Sequence, residues 1–325
     1  MVDDAPPRIG VVVIGRNEGA RLIACLDSLA AAGLGRVVYV DSGSTDGSPA
    51  AAAARGVQVV ALDDATAFTA ARGRNAGVAA LTASSDPIDL VQFIDGDCTI
   101  APTWITIAAT FLNRNPTVAV VCGRRREQMP EASLYNRLID REWDTPVGPA
   151  RACGGDALMR LAAFEAVGGF DASLIAGEEP ELCVRLRAAG WAVWRLDAEM
   201  TFHDARIYRF GQWWTRARRA GHAFAEGATM HGGGPEQHNV AQTRRALAWG
   251  VGVPALAGIG GLAIHPALWL VLLAWPAQVL RLWRRSGDGT QALFLTLAKI
   301  PEAQGVLEYR AKRLTARRSR LIEYK

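Results

Sequence analysis

Several features that would assign a chain quickly are scarce or missing here. The 325 residues hold only five cysteines, Cys25, Cys98, Cys122, Cys153 and Cys183, widely spaced and without a CxxC pair. That excludes a disulfide framework and a zinc knuckle, and it fits a reducing compartment. The start, Met1-Val2-Asp3-Asp4, is acidic and lacks the apolar stretch of a secretory signal. No Gly-x-Gly-x-x-Gly follows the first apolar run, which removes the dinucleotide fingerprint of a dehydrogenase. Internal repeats are absent. Net charge is low as well, at +4, too little to argue for a nucleic-acid partner.

The charge that is present is unevenly placed. From Arg281 to Lys325 there are 11 Lys and Arg against 4 Asp and Glu, a net of +7. Immediately before it, residues 246–280 carry no Asp, Glu, Lys or Arg at all. This stretch falls into two apolar arms, Ala246–Ile264 and Ala267–Leu280, separated by His265-Pro266. A spanning helix needs about 20 apolar residues. The first arm reaches that length; the second does so only if Arg281 snorkels and Trp283 anchors it. The expectation is a tight membrane-inserted hairpin or re-entrant pair, with the basic residues on the cytoplasmic face of the inner membrane. The competing reading is a buried helical hairpin of a soluble protein.

The N-terminal part alternates strands and helices. Short apolar runs at Ile9–Ile14, Val37–Val40, Val57–Val60 and Leu90–Ile94 read as buried strands. Between them, Ala20–Ala32, Ala50–Arg55 and Ala70–Leu81 read as helices. This βα alternation predicts an α/β fold with a mainly parallel central sheet, helices on both faces, and ligands beyond the carboxyl ends of the strands. Beyond Pro116 the pattern mixes. Val118–Cys122 and Trp191–Leu196 read as strands, and Leu161–Val167, Glu181–Ala189 and Arg209–Gly227 as helices. The Gly-rich His231–Gln237 is the best linker, so the expected domains are residues 1–234 and 235–325.

Carboxylates gather at the predicted strand ends. Asp95-Gly96-Asp97 closes an apolar strand, where two carboxylates can share a divalent cation that neutralises a diphosphate; an Asp-Gly hairpin turn is the alternative. Asp41 ends the second strand, before a Ser/Gly/Thr/Asp cluster, and can accept from a base or a ribose hydroxyl. Asn17 and Glu18 follow the first strand at the same sheet edge. Arg74 and Asn75 offer a cation and an amide to a nucleotide, or else an exposed helix face. Glu178, Glu179 and Glu181 open a helix, where the macrodipole alone accounts for acidic residues; one of them can equally serve as a general base. His203 is either a further metal ligand or a structural histidine.

In order and spacing these motifs resemble the family 2 glycosyltransferases, over about residues 8–227. The resemblance rests on Val11–Glu18, Val40–Ser48, Arg74-Asn75-Ala76-Gly77, Phe93–Asp97, and Gly168-Gly169-Phe170-Asp171 running on to Gly177-Glu178-Glu179-Pro180-Glu181-Leu182. It implies a GT-A fold and an inverting transfer from a nucleotide-diphosphate sugar. Asn17, Glu18, Asp41, Arg74, Asn75, Asp95 and Gly155 then make the nucleotide-sugar site. Asp95, Asp97 and His203 hold Mg²⁺ or Mn²⁺. The family's base comes from a Glu-Asp pair; here the matching position is Glu179, with Glu178 as the rival.

Processive relatives carry Gln-x-x-Arg-Trp, but the chain reads Gln212-Trp213-Trp214-Thr215-Arg216. Transfer of one sugar, a hexosyl group, to a glycan or lipid-linked acceptor is expected, as in membrane-associated bacterial members that build polysaccharide or glycolipid. A nucleotidyltransferase fits poorly, because Gly15-Arg16-Asn17-Glu18-Gly19 is not a basic Gly-rich loop. A membrane-docked scaffold with a degenerate site is the non-enzymatic rival.

Overall fold

The computed structural model describes residues 6–315, which divide into two compact units at Tyr208/Arg209.

The first unit starts with β1 (Ile9–Gly15), α1 (Ala20–Ala31), β2 (Val37–Asp41), α2 (Ser48–Ala53), β3 (Gln58–Ala61), α3 (Ala70–Thr82) and β4 (Leu90–Asp95). These strands lie in the order β3-β2-β1-β4, all parallel. Val11, Val12, Val13, Val91 and Phe93 are fully buried, as central parallel strands covered on both faces require. Gly77 of α3 lies so close to Val12 that a Cβ there would collide with it, which sets how near the helix sits to the sheet.

The second half adds β5 (Cys98–Ile100), α4 (Trp104–Arg114), β6 (Val118–Glu127), α5 (Leu134–Glu142), β7 (Gly148–Pro149), β8 (Ala157–Arg160), α6 (Leu161–Ala166), α7 (Glu178–Ala188) and β9 (Ala192–His203). Here the sheet is mixed. β8 runs antiparallel to β4 and β6, β6 is parallel to β9, and β5 and β7 are antiparallel to β9. The sheet is thus wholly parallel from β3 to β4 and mixed beyond it, with β6 and β9 the further parallel pair. β9 is also one 12-residue strand, running on past the expected Trp191–Leu196 to His203. Helices α4 and α5 and the strand β5 were not legible in the sequence.

The second unit is helical. It comprises α8 (Phe210–His231), α9 (Val240–Leu247), a π-helical turn (Ala248–Gly252), α10 (Val253–Ala263), a 3₁₀ segment (Pro266–Leu273), α11 (Ala274–Ser286), α12 (Gly289–Leu297) and α13 (Lys299–Leu314). The division at residue 208 precedes the expected linker. The reason is that α8 packs along α13: a Cβ on Gly221 would strike the Glu302 carbonyl, and one on Gly305 the Arg218 carbonyl. Trp214 Nε1 also donates to Gln304 Oε1 at 3.0 Å. Within the basic C-terminal segment, α13 is a packed helix, with Pro301, Ala303, Gly305 and Val306 buried. Val240–Ala263 and Pro266–Ser286 are each long and apolar enough to cross a membrane.

Candidate active site

The site is built where β1, β2 and β4 end, between the loops that follow them. Asn17, held at φ 56°, fastens the first two loops together. Its backbone N–H donates to Ser44 Oγ at 2.8 Å, and its Oδ1 accepts from Thr45 N at 2.7 Å. Asp41 is buried; it accepts from Tyr39 Oη at 2.8 Å and from the backbone N–H groups of Gly43 (3.0 Å) and Ser44 (2.8 Å). Its carboxylate thus orders the loop it was expected to offer to a nucleotide. Glu18 pairs with Arg21 at 2.5 Å.

Arg74 is the centre of the arrangement. Helix α3 does not present it to solvent, since the side chain is almost completely buried. Nη1 lies 2.9 Å from both Glu178 Oε1 and Glu179 Oε1, and Nη2 lies 3.0 Å from Asp95 Oδ1. The guanidinium joins the end of β4 to the start of α7 through Nη1 and Nη2, while its Nε has no hydrogen-bond partner among the described residues. Asn75 is likewise turned to the protein. Its Nδ2 donates to Phe170 O at 2.7 Å and its Oδ1 accepts from Phe170 N at 3.0 Å, pinning the Gly168–Asp171 motif.

Two of the three expected metal ligands meet. His203 Nε2 lies 3.2 Å from Asp97 Oδ2, and both side chains are buried. Asp95 falls in a second group of possible ligands, with Cys98 and Asp156. It lies between Arg74 and Arg125, whose Nη2 is 3.1 Å from Asp95 Oδ2. β4 ends at Asp95 and Gly96-Asp97 forms a turn, so the strand's i,i+2 alignment of the two carboxylates stops there. Burial lowers the His203 pKa, and Arg125 lowers it further, leaving a neutral ring with a lone pair for a ligand. The buried Nδ1 has no hydrogen-bond partner among the described residues; Glu127 Oε2 is 3.9 Å away. Asp97, Cys98 and His203 bring three donor atoms within 4.8 Å of one another. The oxygen and nitrogen donors of Asp97 and His203 fit a divalent ion, whereas burial pushes the Cys98 thiol well up and leaves its sulfur a poor donor.

Glu178 and Glu179 begin α7 after Gly177, at φ 82°. Glu178 is the more buried of the two. The Glu179 carboxyl is pushed up to about 7, chiefly by burial and next by the charge of Glu178. Glu181 turns away and pairs with Arg185 at 2.6 Å, i to i+4 along the helix. Gly155 lies against the same carboxylates. A Cβ there would come within 2.7 Å of Arg74 Nη2, 3.1 Å of Asp95 Oδ2 and 3.2 Å of Glu179 Oε1.

Three residues were missed by sequence reasoning. Asp156 is buried, takes the Asp95 N–H at 3.1 Å and the Thr201 hydroxyl at 2.6 Å, and pairs with Arg125 at 3.3 Å. Arg125 stacks 4.9 Å over Trp143, and the same ring meets His203 edge-on at 4.9 Å. Asp156 directly follows Gly154-Gly155, and Arg125 sits in an Arg-Arg-Arg run after an apolar strand. Those were the available signals.

Residues 10–160 match the model of glycosyl transferase family 2. Succinoglycan biosynthesis protein ExoA of Rhizobium meliloti (strain 1021) is 29% identical over 199 residues, 58% of this chain and 60% of that protein. Pre-mycofactocin glycosyltransferase of Mycobacterium tuberculosis (strain ATCC 25618 / H37Rv) is 29% identical over 238 residues, 69% of this chain and 48% of that protein. The chain thus spans between about half and three-fifths of the length of these relatives. Among solved structures, a mannosyltransferase from Pyrobaculum calidifontis in complex with GDP-Man and Mn²⁺ aligns with TM-score 0.61 at 20% identity, over 97% of this chain and 90% of that one. Glucosyl-3-phosphoglycerate synthase of Mycobacterium tuberculosis, in complex with Mn²⁺, UDP and glucosyl-3-phosphoglycerate, aligns with TM-score 0.50 at 17% identity, over 70% and 80%. With the motifs, the sheet order and these likenesses together, residues 10–160 are similar to glycosyl transferase family 2 and the first unit has the GT-A fold.

Proposed function

We propose that the chain transfers one hexosyl group, with inversion, from a nucleotide-diphosphate sugar to a glycan or lipid-linked acceptor in polysaccharide or glycolipid synthesis. The observation that carries this reading is the pairing of Asp97 with His203 at one strand end, with Glu179 held on Arg74 beside Asp95. Asp95, Asp97, Asp156, Glu178 and Glu179 together outweigh Arg74 and Arg125 in charge, so the site favours a further cation. Mg²⁺ or Mn²⁺ held by Asp97 and His203 would supply charge neutralisation for the departing diphosphate.

The protein's own groups do the rest. Arg74 fixes the carboxylates of Glu178 and Glu179, so the base needs little reorganisation. Glu179 takes the proton of the acceptor hydroxyl while its oxygen forms the new bond to the anomeric carbon. The bond from that carbon to the diphosphate breaks on the opposite face, which inverts the configuration. Gly155, lacking a Cβ, keeps the space beside Arg74, Asp95 and Glu179 open. The apolar helices of the second unit fit association with the inner membrane, with their arginines on the cytoplasmic face.

Incubation with a panel of nucleotide sugars and membrane-lipid or glycan acceptors tests the reading. Acceptor-dependent release of nucleoside diphosphate from at least one donor is expected. Tight donor binding with no turnover on any acceptor would favour the scaffold reading.

A further inference from the structure

The charge-free run is longer in sequence than in the part that lipid can reach. Its beginning is packed against α13. Ala246 is fully buried, and a Cβ on Gly250 would collide with the Lys299 carbonyl. Helix α13 carries Lys299, Glu302, Glu308, Arg310, Lys312 and Arg313, so this part of the run packs against a highly charged helix.

What remains is short. Helix α10 has 11 residues, which is about 16 Å at the α-helical rise. The returning 3₁₀ segment has 8 residues, again about 16 Å at its longer rise. The hydrocarbon core of a bilayer is about 30 Å thick, so one leaflet contributes about 15 Å. Each of these two pieces by itself matches a single leaflet, although the continuous helical stretches they belong to, Val240–Ala263 and Pro266–Ser286, are longer. The arms meet through small residues, as lipid-embedded helices do. A Cβ on Gly260 would lie 2.8 Å from Leu268, and one on Gly261 would lie 2.7 Å from Trp269. Ile259, Leu262, Ile264, Leu270 and Leu273 point outward and are exposed.

Helix α11 then changes character. Gln278, Arg281 and Arg285 recur at i, i+3 and i+7 with Arg284 beside them, while Trp275, Val279 and Leu282 recur at i, i+4 and i+7 with Trp283 beside them. None of the most apolar stretch of Pro266–Ser286 is buried among the described residues. A helix with tryptophans on one face and arginines on the other lies in the plane of the headgroups rather than across the bilayer.

We infer that residues 253–286 form a monotopic anchor. The α10–3₁₀ hairpin enters one leaflet with Ile264 and His265 deepest, and α11 lies at the surface with Arg281, Arg284 and Arg285 on anionic phospholipid. This rests on the membrane association proposed above and specifies its depth.

Thiol labelling of the full chain, reconstituted in sealed phosphatidylcholine vesicles containing phosphatidylglycerol, tests it. Ile264→Cys, His265→Cys and Arg285→Cys are each compared with the unchanged chain, to correct for native cysteines. A charged maleimide is supplied outside or trapped inside. Residue 285 should label readily, whereas residues 264 and 265 should label at least about tenfold more slowly from either side until detergent is added. Labelling of residue 264 or 265 from the face opposite residue 285 would overturn the single-leaflet anchor and leave membrane association standing. A chain that fails to float with the vesicles and forms a dimer in solution would instead overturn membrane association itself. Replacing Arg281, Arg284 and Arg285 together by Gln should weaken binding to phosphatidylglycerol vesicles roughly a hundredfold. Unchanged binding would remove the anionic lipid from the account.

Discussion

His203 Nε2 and Asp97 Oδ2 lie 3.2 Å apart although their residues are 106 positions apart in the chain. The contact is made because β9 ends at His203 beside β5, which pairs Cys98 with His203 directly after the Asp97 turn. Trp143 meets the imidazole edge-on and Glu127 lies beyond its other nitrogen, so ring and carboxylate are held together before any ligand arrives.

His203→Ala and Asp97→Asn should therefore each lower transfer by about 10²-fold or more, the scale of losing a metal-held charge in the transition state. Circular dichroism should be unchanged. His203→Ala retaining full activity in excess chelator would remove the metal role from this pair.

The base makes a prediction in pH. The Glu179 carboxyl is pushed up to about 7, mainly by burial and next by Glu178. A general base works only when deprotonated, so kcat/KM should rise about tenfold per pH unit below about 7 and level off above it. Glu179→Gln should cost about 10²-fold in kcat with donor binding little changed, and it should abolish that acid limb. If Glu178→Gln does this instead, Glu178 is the base.

Gly155→Ala tests the crowded floor of the site. The added methyl carbon would lie 2.7 Å from Arg74 Nη2 and 3.2 Å from Glu179 Oε1. Overpacking of this kind costs about 1–3 kcal/mol. Misplacing the carboxylate by about 1 Å should lower kcat by roughly 10²-fold. A variant with unchanged kcat would show that Glu179 tolerates displacement.

Arg74→Met should be worse for the fold than for any single contact. Its removal leaves Glu178 and Glu179 side by side and Asp95 with one arginine fewer. Breaking a buried ion network from one side costs about 3–5 kcal/mol. Urea unfolding should show that loss at pH 7, and it should shrink at low pH, where the carboxylates protonate. A pH-independent loss would point to packing instead.

How far the sequence disclosed this site depends on what each residue does. β1, β2 and β4 were legible because strands buried on both faces must be continuous apolar runs, and Val11–Val13 and Leu90–Ile94 are. The carboxylates at their ends were legible by position. Their pairing was not, because a sequence does not record where β9 returns. Arg74 and Asn75 were expected to face a ligand, and the structure shows that both join elements about 100 residues apart. Asp156 and Arg125 were hidden for the same reason: their significance lies in contacts made across the sheet. In the second unit, the missing charge from 246 to 280 was plain, while the packing of Gly250 on α13 was not.

The most direct test of the central claim is equilibrium titration of nucleoside diphosphates, UDP and GDP among them, into the full chain with Mn²⁺ and with excess chelator. The account predicts that at least one nucleotide binds tenfold or more tightly with Mn²⁺, and that Asp97→Asn and His203→Ala both erase the difference. Nucleotide binding that is equally tight in chelator, or a Mn²⁺ effect that survives both substitutions, would contradict it.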